Sequence, residues 1–240
     1  MINTLISTAE ITDQDAIKAW NFGYRLYTFP LINKELSYDT EVEQRIFELG
    51  RDSINAVFTS EVAVRSVFER LEQKPDWNIY CLQGKTRTVL LKYVPEALIV
   101  NMATNSTNLA ATIKSDLSAF RQRPAVFFCG DKRMPTLPAT CKELNVPLEE
   151  LICYKTSCIP SDIGGDIEGI LFFSPSAAEC YFNHNPRINN ATVLFAIGET
   201  TAASIRAFCG NTTIVAPEPT QAALLNEVKI YFDKQKASEA

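Results

Sequence analysis

The stretch FTSEVAVRSVF, Phe58 to Phe68, has a counterpart in FFSPSAAECYF, Phe172 to Phe182, which lies 114 residues farther along the chain. In both stretches an apolar run ends in short hydroxyl-bearing side chains, and apolar residues at helical spacing follow. This pattern is typical of the passage from a buried strand into an amphipathic helix. A strand-to-helix junction that recurs at long range indicates an internal repeat.

Two further junctions keep nearly the same separation. CLQGKT, which ends at Thr86, aligns with AIGETT, which ends at Thr201, at 115 residues. Thr104 aligns with Thr220 at 116 residues. More loosely, the strand and helix that lead into YTFPLI resemble those that lead into LICYKT. The sequence therefore predicts a tandem duplication and two similar α/β domains.

Seven short apolar runs are predicted to be strands buried on both faces, as parallel strands covered by helices are. They are INTLIS, INAVFTS, NIYCLQ, PAVFFCG, EELICYKT, EGILFFS and TVLFAIG. Helical spacing occurs at residues 62–71, 137–144, 177–182 and 202–208. This alternation predicts an α/β fold with open parallel sheets that carry helices on both faces.

Composition and charge exclude several classes of function. The chain of 240 residues has a net charge of −5, and it shows no cluster of Lys and Arg of the kind that binds nucleic acid. MINTLISTAEITD does not resemble a signal peptide, and no apolar run reaches the roughly 20 residues of a membrane helix. No G-x-G-x-x-G follows a strand, which argues against a dinucleotide cofactor. We expect a cytoplasmic protein without nucleic-acid or membrane partners.

The seven cysteines and the single histidine do not form a recognisable metal motif. No two cysteines have C-x-x-C spacing, and His184 lies in the polar stretch FNHNPRINN. We therefore expect reduced, mostly buried thiols, a solvated His184, and neither a metal nor a cofactor.

The C-terminal half carries a family resemblance. FFSPSA (Phe172 to Ala177), AIGETTAASIR (Ala196 to Arg206) and VAPEPTQAALL (Val215 to Leu225) resemble successive strand-to-helix junctions of uroporphyrinogen-III synthases. FTSEVAV from Phe58, CGDKR and LICYKT extend this resemblance over nearly the whole chain. In two places the chain departs from the family pattern: Ala9 and Glu10 follow Thr8 where the family often has Arg-Pro, and Gln83 replaces the glycine seen at Gly198.

The resemblance implies two flavodoxin-like domains with parallel sheets, joined by two extended crossing strands. Domain one would comprise residues 1–33 and 160–240, and domain two residues 36–155. The crossings would lie near 29–36 (FPLIN) and 153–159 (CYKTS). The resemblance also implies a monomer that closes hydroxymethylbilane, with loss of water and inversion of ring D, in a cleft between the domains. The partners would be this substrate and, transiently, the deaminase that makes the bilane.

Candidate substrate-binding residues lie where predicted strands end and helices begin. There, unpaired backbone N–H groups, the helix dipole and short hydroxyls suit a carboxylate, although the same hydroxyls can simply cap helices for about 1 kcal/mol each. A glycine would allow close backbone approach, and Arg133 or the neighbouring Lys132 would add charge. The predicted set is Thr59, Ser60, Lys85, Thr86, Gly130, Arg133, Ser174, Pro175, Ser176, Thr200 and Thr201.

Tyr154, in LICYKT, matches the tyrosine that the family offers as an acid for departure of the hydroxyl group. Its alternative role is packing between domains. Lys155 should point to the opposite face of the strand. A second hypothesis for the whole chain is a bilobal α/β binding module that holds a small polyanionic ligand without transforming it.

Overall fold

Two β-sheets covered by helices form the protein in the computed structural model, which describes residues 3–37 and 39–239. The chain divides into two compact units, Met1–Asn33 with Ser157–Ala240 and Lys34–Thr156. None of the helices in the described ranges combines the length and the apolar character needed to cross a membrane.

The elements of the first unit come from both ends of the chain. The N-terminal part contributes β1 (Asn3–Ser7), α1 (Asp13–Asn21) and β2 (Tyr24–Thr28). Ile2, the first residue of the predicted strand INTLIS, lies outside the described residues.

The second unit follows in one continuous segment. Its elements are β3 (Ile32–Leu36), α2 (Thr40–Leu49), β4 (Ile54–Phe58), α3 (Glu61–Phe68), β5 (Trp77–Leu82), α4 (Lys85–Leu90), a 3-10 turn (Glu96–Leu98), β6 (Ile99–Ala103), α5 (Ser106–Ser115), α6 (Leu117–Phe120), β7 (Ala125–Gly130), α7 (Thr136–Glu143) and β8 (Leu148–Cys158). The chain then completes the first unit with β9 (Gly169–Phe172), α8 (Pro175–His184), β10 (Val193–Ala196), α9 (Glu199–Arg206), β11 (Thr213–Val215) and α10 (Gln221–Glu239). Both changes of unit fall inside strands, β3 and β8.

The two sheets have the same internal plan. The first has the order β11-β10-β9-β1-β2, and the second has the order β6-β5-β4-β7-β8 with β3 added beside β8. Apart from the added β3, neighbouring strands pair in parallel. Numbered along the chain within each sheet, the first has the flavodoxin-like order 2-1-3-4-5. The second, without β3, has the order 3-2-1-4-5, because β7 and β8, which occupy the places of β1 and β2, come last in that segment of the chain. The predicted α/β class with parallel sheets is confirmed.

Helices cover both faces of each sheet, which explains the continuous apolar strands. All five residues of β4 and all six of β7 are buried, as are the four residues of β9 and of β10. Each unit has two clusters of buried apolar residues, built for example around Phe128 and Phe127 in the second unit and around Phe172 and Phe195 in the first. A strand that packs on both sides cannot alternate polar with apolar side chains.

Candidate functional site

The predicted binding residues come together at one edge of each sheet. In parallel strands all carboxyl ends lie at the same edge, and ligands of open α/β sheets bind there, where the strand order reverses. The reversal falls between β7 and β4 in the second unit and between β1 and β9 in the first. In the second unit Thr59 and Ser60 follow β4, Lys85 and Thr86 follow β5, and Gly130 ends β7 with Arg133 three residues on. In the first unit Ser174, Pro175 and Ser176 follow β9, and Thr200 and Thr201 follow β10.

Tyr154 lies at the reversal point of the second unit, packed against Gly130. The tyrosine is only 9% exposed. A Cβ added to Gly130 would lie 2.5 Å from Cε2 and Cζ of the Tyr154 ring and 2.9 Å from its hydroxyl oxygen. The two residues are partners across β7 and β8, beside a shift of register at Cys129. Gly130 therefore lacks a side chain where the Tyr154 ring needs the space.

The surroundings of Tyr154 keep its phenol protonated. Burial is the largest influence and raises the pKa of Tyr154, and a side-chain hydrogen bond with Ser60 opposes this rise. The negative charges of Glu61 and Asp131 raise the pKa further. A phenol that stays neutral at physiological pH retains a proton to donate.

A cation that sequence reasoning missed lies beside this ring. Nζ of Lys34, on β3, is 5.9 Å from the ring centroid of Tyr154, within the range of a cation–π contact. The contact depends on β3 lying next to β8 in the sheet. No local motif around Lys34 carries this signal, because the two residues are far apart in sequence.

Two of the predicted serines act as N-caps. The Ser60 hydroxyl accepts a hydrogen bond from the Val62 N–H at 3.2 Å, and the Ser174 hydroxyl accepts one from the Ala177 N–H at 3.1 Å. Both Ser60 and Ser174 therefore cap helices, which is the alternative to carboxylate binding for these hydroxyls. A serine hydroxyl still has its own proton to donate after it caps a helix. Ser60 uses this function with Tyr154, whereas Ser174 can offer it to a ligand.

Glycines begin the two helices that follow the neighbouring strands. Gly84 precedes α4 and Gly198 precedes α9, and neither helix has a side-chain cap. Gly84 has a φ of +72°, a conformation that favours glycine. Gln83 aligns with Gly198 of the other repeat, and the next residue, Gly84, supplies the glycine that precedes the helix.

The threonines of these two helices differ in accessibility. Thr86 and Thr201 are buried, at 4% and 1% exposure. Thr200 is exposed, and Pro175, Ser176 and Thr59 are partly exposed. A bound carboxylate would therefore meet Thr200 more readily than the two buried threonines.

The cations of the predicted set also differ in their availability. The guanidinium of Arg133 pairs with Glu150 of β8, and the hydrogen bond with this carboxylate raises the pKa of Arg133. Lys85 is exposed and has no ion pair with any residue in the described ranges. Lys85 is therefore the member of the set whose charge is free to meet a ligand.

The loop after β1 uses its polar groups internally. The Thr8 hydroxyl is buried and donates to the Leu171 carbonyl oxygen at 2.9 Å, and the Ser7 hydroxyl donates to the Ala9 carbonyl oxygen at 2.6 Å. This loop, which lacks the arginine common in the family, offers a carboxylate no cation.

The cysteines differ from the expectation of seven reduced thiols. Cys158 and Cys180 form a disulfide, while Cys81, Cys129, Cys141, Cys153 and Cys209 are free. The two bonded residues are 22 positions apart and meet only because the end of β8 lies against α8. His184 lies beside them, and the three side chains form a group with the geometry to hold a metal ion.

Comparisons with known proteins identify a family and a fold. A family model described as uroporphyrinogen-III synthase HemD matches residues 16–226. A search of curated proteins gave no significant match. Among solved structures, a uroporphyrinogen III synthase from the extremely thermophilic bacterium Thermus thermophilus is similar, with a TM-score of 0.66 and 18% identity over 97% of this chain and 99% of that one.

A second solved structure, uroporphyrinogen-III synthetase from Helicobacter pylori, has a TM-score of 0.62 and 15% identity over 95% of this chain and 98% of that one. At such identities the structural likeness establishes the fold, and the family model, which spans most of the chain, establishes the family. The chain belongs to the uroporphyrinogen-III synthase family and is a cyclising lyase of tetrapyrrole biosynthesis.

Proposed function

We propose that this enzyme closes hydroxymethylbilane to uroporphyrinogen III, holding the substrate's carboxylates at the carboxyl edges of its sheets and protonating the leaving hydroxyl with Tyr154. The observation that carries the proposal is the family match over residues 16–226. The substrate, a linear tetrapyrrole with eight carboxylates, loses water and closes with inversion of ring D.

Most of the chemistry resides in the substrate. Departure of the hydroxyl group gives an electrophilic azafulvene, and an electron-rich pyrrole supplies the nucleophile. The enzyme has to fold the chain so that attack occurs at the substituted carbon of ring D. Proximity and orientation alone lower such barriers by roughly 7 to 11 kcal/mol. A site built mainly from backbone N–H groups and hydroxyls therefore suits this reaction.

Tyr154 is the proposed proton donor for the departing hydroxyl. Its support is a buried, neutral phenol at the point where the strand order of the second sheet reverses. The phenolate that forms as the proton leaves would be stabilised by the hydrogen bond with Ser60 and by the nearby charge of Lys34. A proton lost from a pyrrole carbon during ring closure restores the phenol.

Carboxylate binding is proposed for the exposed members of the predicted set. Lys85 and Thr200 are exposed, and the uncapped starts of α4 and α9 leave backbone N–H groups without a side-chain partner. Ser174 keeps a donor after capping its helix, whereas the hydroxyl proton of Ser60 is assigned to Tyr154. Arg133 is proposed to act only indirectly, since Glu150 already neutralises its charge.

We also propose that the two units are the domains of the enzyme, with crossings near 29–36 and 153–159. The matching arrangement of five parallel strands in the two sheets supports this division, as does the fact that both changes of unit fall inside β3 and β8. The enzyme is proposed to act as a cytoplasmic monomer that receives its polyanionic substrate from the preceding deaminase in a transient contact.

The test is the isomer ratio of the product. Purified protein is given hydroxymethylbilane, the product is oxidised, and the uroporphyrin isomers are separated by chromatography. We expect mainly the type III isomer, against type I in a control without enzyme, where closure is spontaneous. Type I alone would refute the assigned reaction, and tight substrate binding together with type I product would favour the non-catalytic binding module.

A further inference from the structure

Cys158, Cys180 and His184 form a group of metal-binding side chains in the unit built on β1 and β9. We propose that the two sulfurs, once their disulfide is reduced, bind one zinc ion together with the imidazole of His184. This site is separate from the residues assigned to tetrapyrrole chemistry, and the inference does not depend on that assignment.

The distances between the ligand atoms fit a zinc ion. The three atoms lie within 4.8 Å of one another, and Sγ of Cys158 is 3.7 Å from Nδ1 of His184. With bonds of about 2.3 Å to sulfur and about 2.0 Å to nitrogen, a tetrahedral zinc ion keeps such a pair about 3.5 Å apart. The Cys158 sulfur and the His184 nitrogen are thus already close to the separation that zinc requires. The two sulfurs must move apart on reduction, to about 3.8 Å.

The scaffold holds the three side chains together from two elements. Cys180 and His184 are one helical turn apart on α8 and so lie on the same side of that helix. Cys158 ends β8, and the segment after it is fixed to the C-terminus of α8 by Asn185. The Asn185 side chain accepts from the Ile163 N–H and donates to the Ser161 carbonyl oxygen, both at 2.9 Å.

The chemistry of the donors favours a thiophilic ion. Two thiolates and one imidazole are ligands that zinc prefers, and they leave a fourth position for water. Cys158 and His184 are exposed, so an ion and a reductant can reach the group, whereas Cys180 is buried. Nδ1 of His184 now lies 2.9 Å from the Cys180 carbonyl oxygen, and zinc would replace this contact while the imidazole proton moves to Nε2.

Zinc binding at this site depends on the redox state of the cysteines. A small disulfide of the glutathione class accepts two electrons from the zinc-bound thiolates and becomes two thiolates. The two sulfurs form the Cys158–Cys180 bond, and Zn²⁺ leaves with its charge unchanged. The oxidised form has one imidazole but no thiolate to offer the ion.

The experiment titrates zinc into the full-length protein, reduced with a phosphine that does not bind the metal strongly, in competition with a chromophoric chelator. We expect one zinc per chain, and Co²⁺ in its place should give a thiolate-to-cobalt charge-transfer band. Oxidation should release the ion and lower the number of titratable thiols in denaturant from seven to five. Absence of stoichiometric binding to the reduced protein would overturn the proposal.

Variants at the exposed ligands test the assignment without disturbing the core. Cys158→Ser and His184→Asn should each weaken zinc binding by about 100-fold or more, because each removes one of three protein ligands. Cys209→Ser is the matched control, a free cysteine of the same unit outside the group, and it should bind zinc as the original chain does. Circular dichroism of the reduced proteins checks folding, and unchanged affinity in a folded Cys158→Ser or His184→Asn variant would refute the site.

Discussion

Replacement of Tyr154 by Phe separates a chemical role for this residue from a packing role. The substitution keeps the aromatic ring that lies against Gly130 and removes only the hydroxyl group that interacts with Ser60. No cavity larger than one oxygen atom is created. The stability of the protein should therefore reflect only the lost hydrogen bond with Ser60, whereas turnover should reflect the lost proton donor.

The two magnitudes can be estimated separately. Loss of one hydrogen bond costs about 1 kcal/mol, which lowers the melting temperature of a chain of this size by roughly 2–4 °C. Loss of a general acid lowers turnover by about 10²-fold or more, equivalent to about 2.7 kcal/mol of barrier. A loss of about 1 kcal/mol leaves nearly all molecules folded at about 25 °C, so it cannot by itself account for a drop in turnover of that size.

The assay follows initial rates of uroporphyrinogen III formation at saturating hydroxymethylbilane, with thermal unfolding measured on the same samples. Tyr80→Phe is the matched control, since Tyr80 is a second buried tyrosine of the same unit that packs in a different apolar cluster. We expect a large fall in turnover only in Tyr154→Phe, with a rising share of type I product from uncatalysed closure. Turnover of Tyr154→Phe within about twofold of the unsubstituted enzyme would refute the proposed acid and leave Tyr154 a packing residue.

Three further predictions concern Gly130, Lys85 and Tyr24. Gly130→Ala should destabilise the protein by about 1–3 kcal/mol in urea and lower turnover, because its Cβ would lie 2.5 Å from the Tyr154 ring; an unchanged urea midpoint would contradict this. Lys85→Ala should raise KM about fivefold to tenfold with little change in kcat, while Lys92→Ala, beyond the far end of α4, should change neither. Burial raises the pKa of Tyr24 from 10.0 to about 12, so its contribution to stability is complete below pH 10 and is lost as pH rises towards 12. Tyr24→Phe should flatten this alkaline decline in urea titrations, and an identical decline in both proteins would exclude Tyr24 as its source.

The central strands could be predicted from sequence, whereas the edge strands could not. β4 and β7 are buried along their whole length, so their apolar runs are unmistakable. β6 is an edge strand with Asn101 in its middle, and β11 has only three residues, all partly exposed. An edge strand lacks a neighbour on one side, so its sequence need not be uniformly apolar.

The positions of the candidate site residues could be predicted from junctions, but their contacts could not. Which hydroxyls follow which strand is readable from local sequence. The contact of Tyr154 with Gly130 and Lys34, and the pairing of Arg133 with Glu150, depend on which strands are neighbours and in what register. Sequence spacing therefore placed the candidate residues at the carboxyl edges of the sheets, but it did not reveal that the charge of Arg133 is neutralised by Glu150.

The register of the duplicated sheets also shows where the two repeats differ. Val57 of β4 and Leu171 of β9 are equivalent through the offset of 114, and they pair with Phe127 and Ser7. Phe127 and Ser7 are therefore equivalent residues of β7 and β1. Their partners on the other side, Glu150 of β8 and Thr28 of β2, are equivalent in turn.

Counting four residues on from each partner leads from Glu150 to Tyr154 on β8 and from Thr28 to Ile32 on β3, the two strands in which the chain changes unit. Counting three residues on from the first pair leads to Gly130 and to Glu10. The β1–β2 pairing ends at Ser7 and Thr28, and by this count Ile32 and Glu10 correspond to Tyr154 and Gly130. Both repeats retain helix starts suited to carboxylates, but the equivalent position can supply no phenolic proton, so the proposed acid chemistry belongs to the second unit alone. Duplication accounts for the shared strand-to-helix junctions, and divergence at these two positions accounts for the single candidate acid.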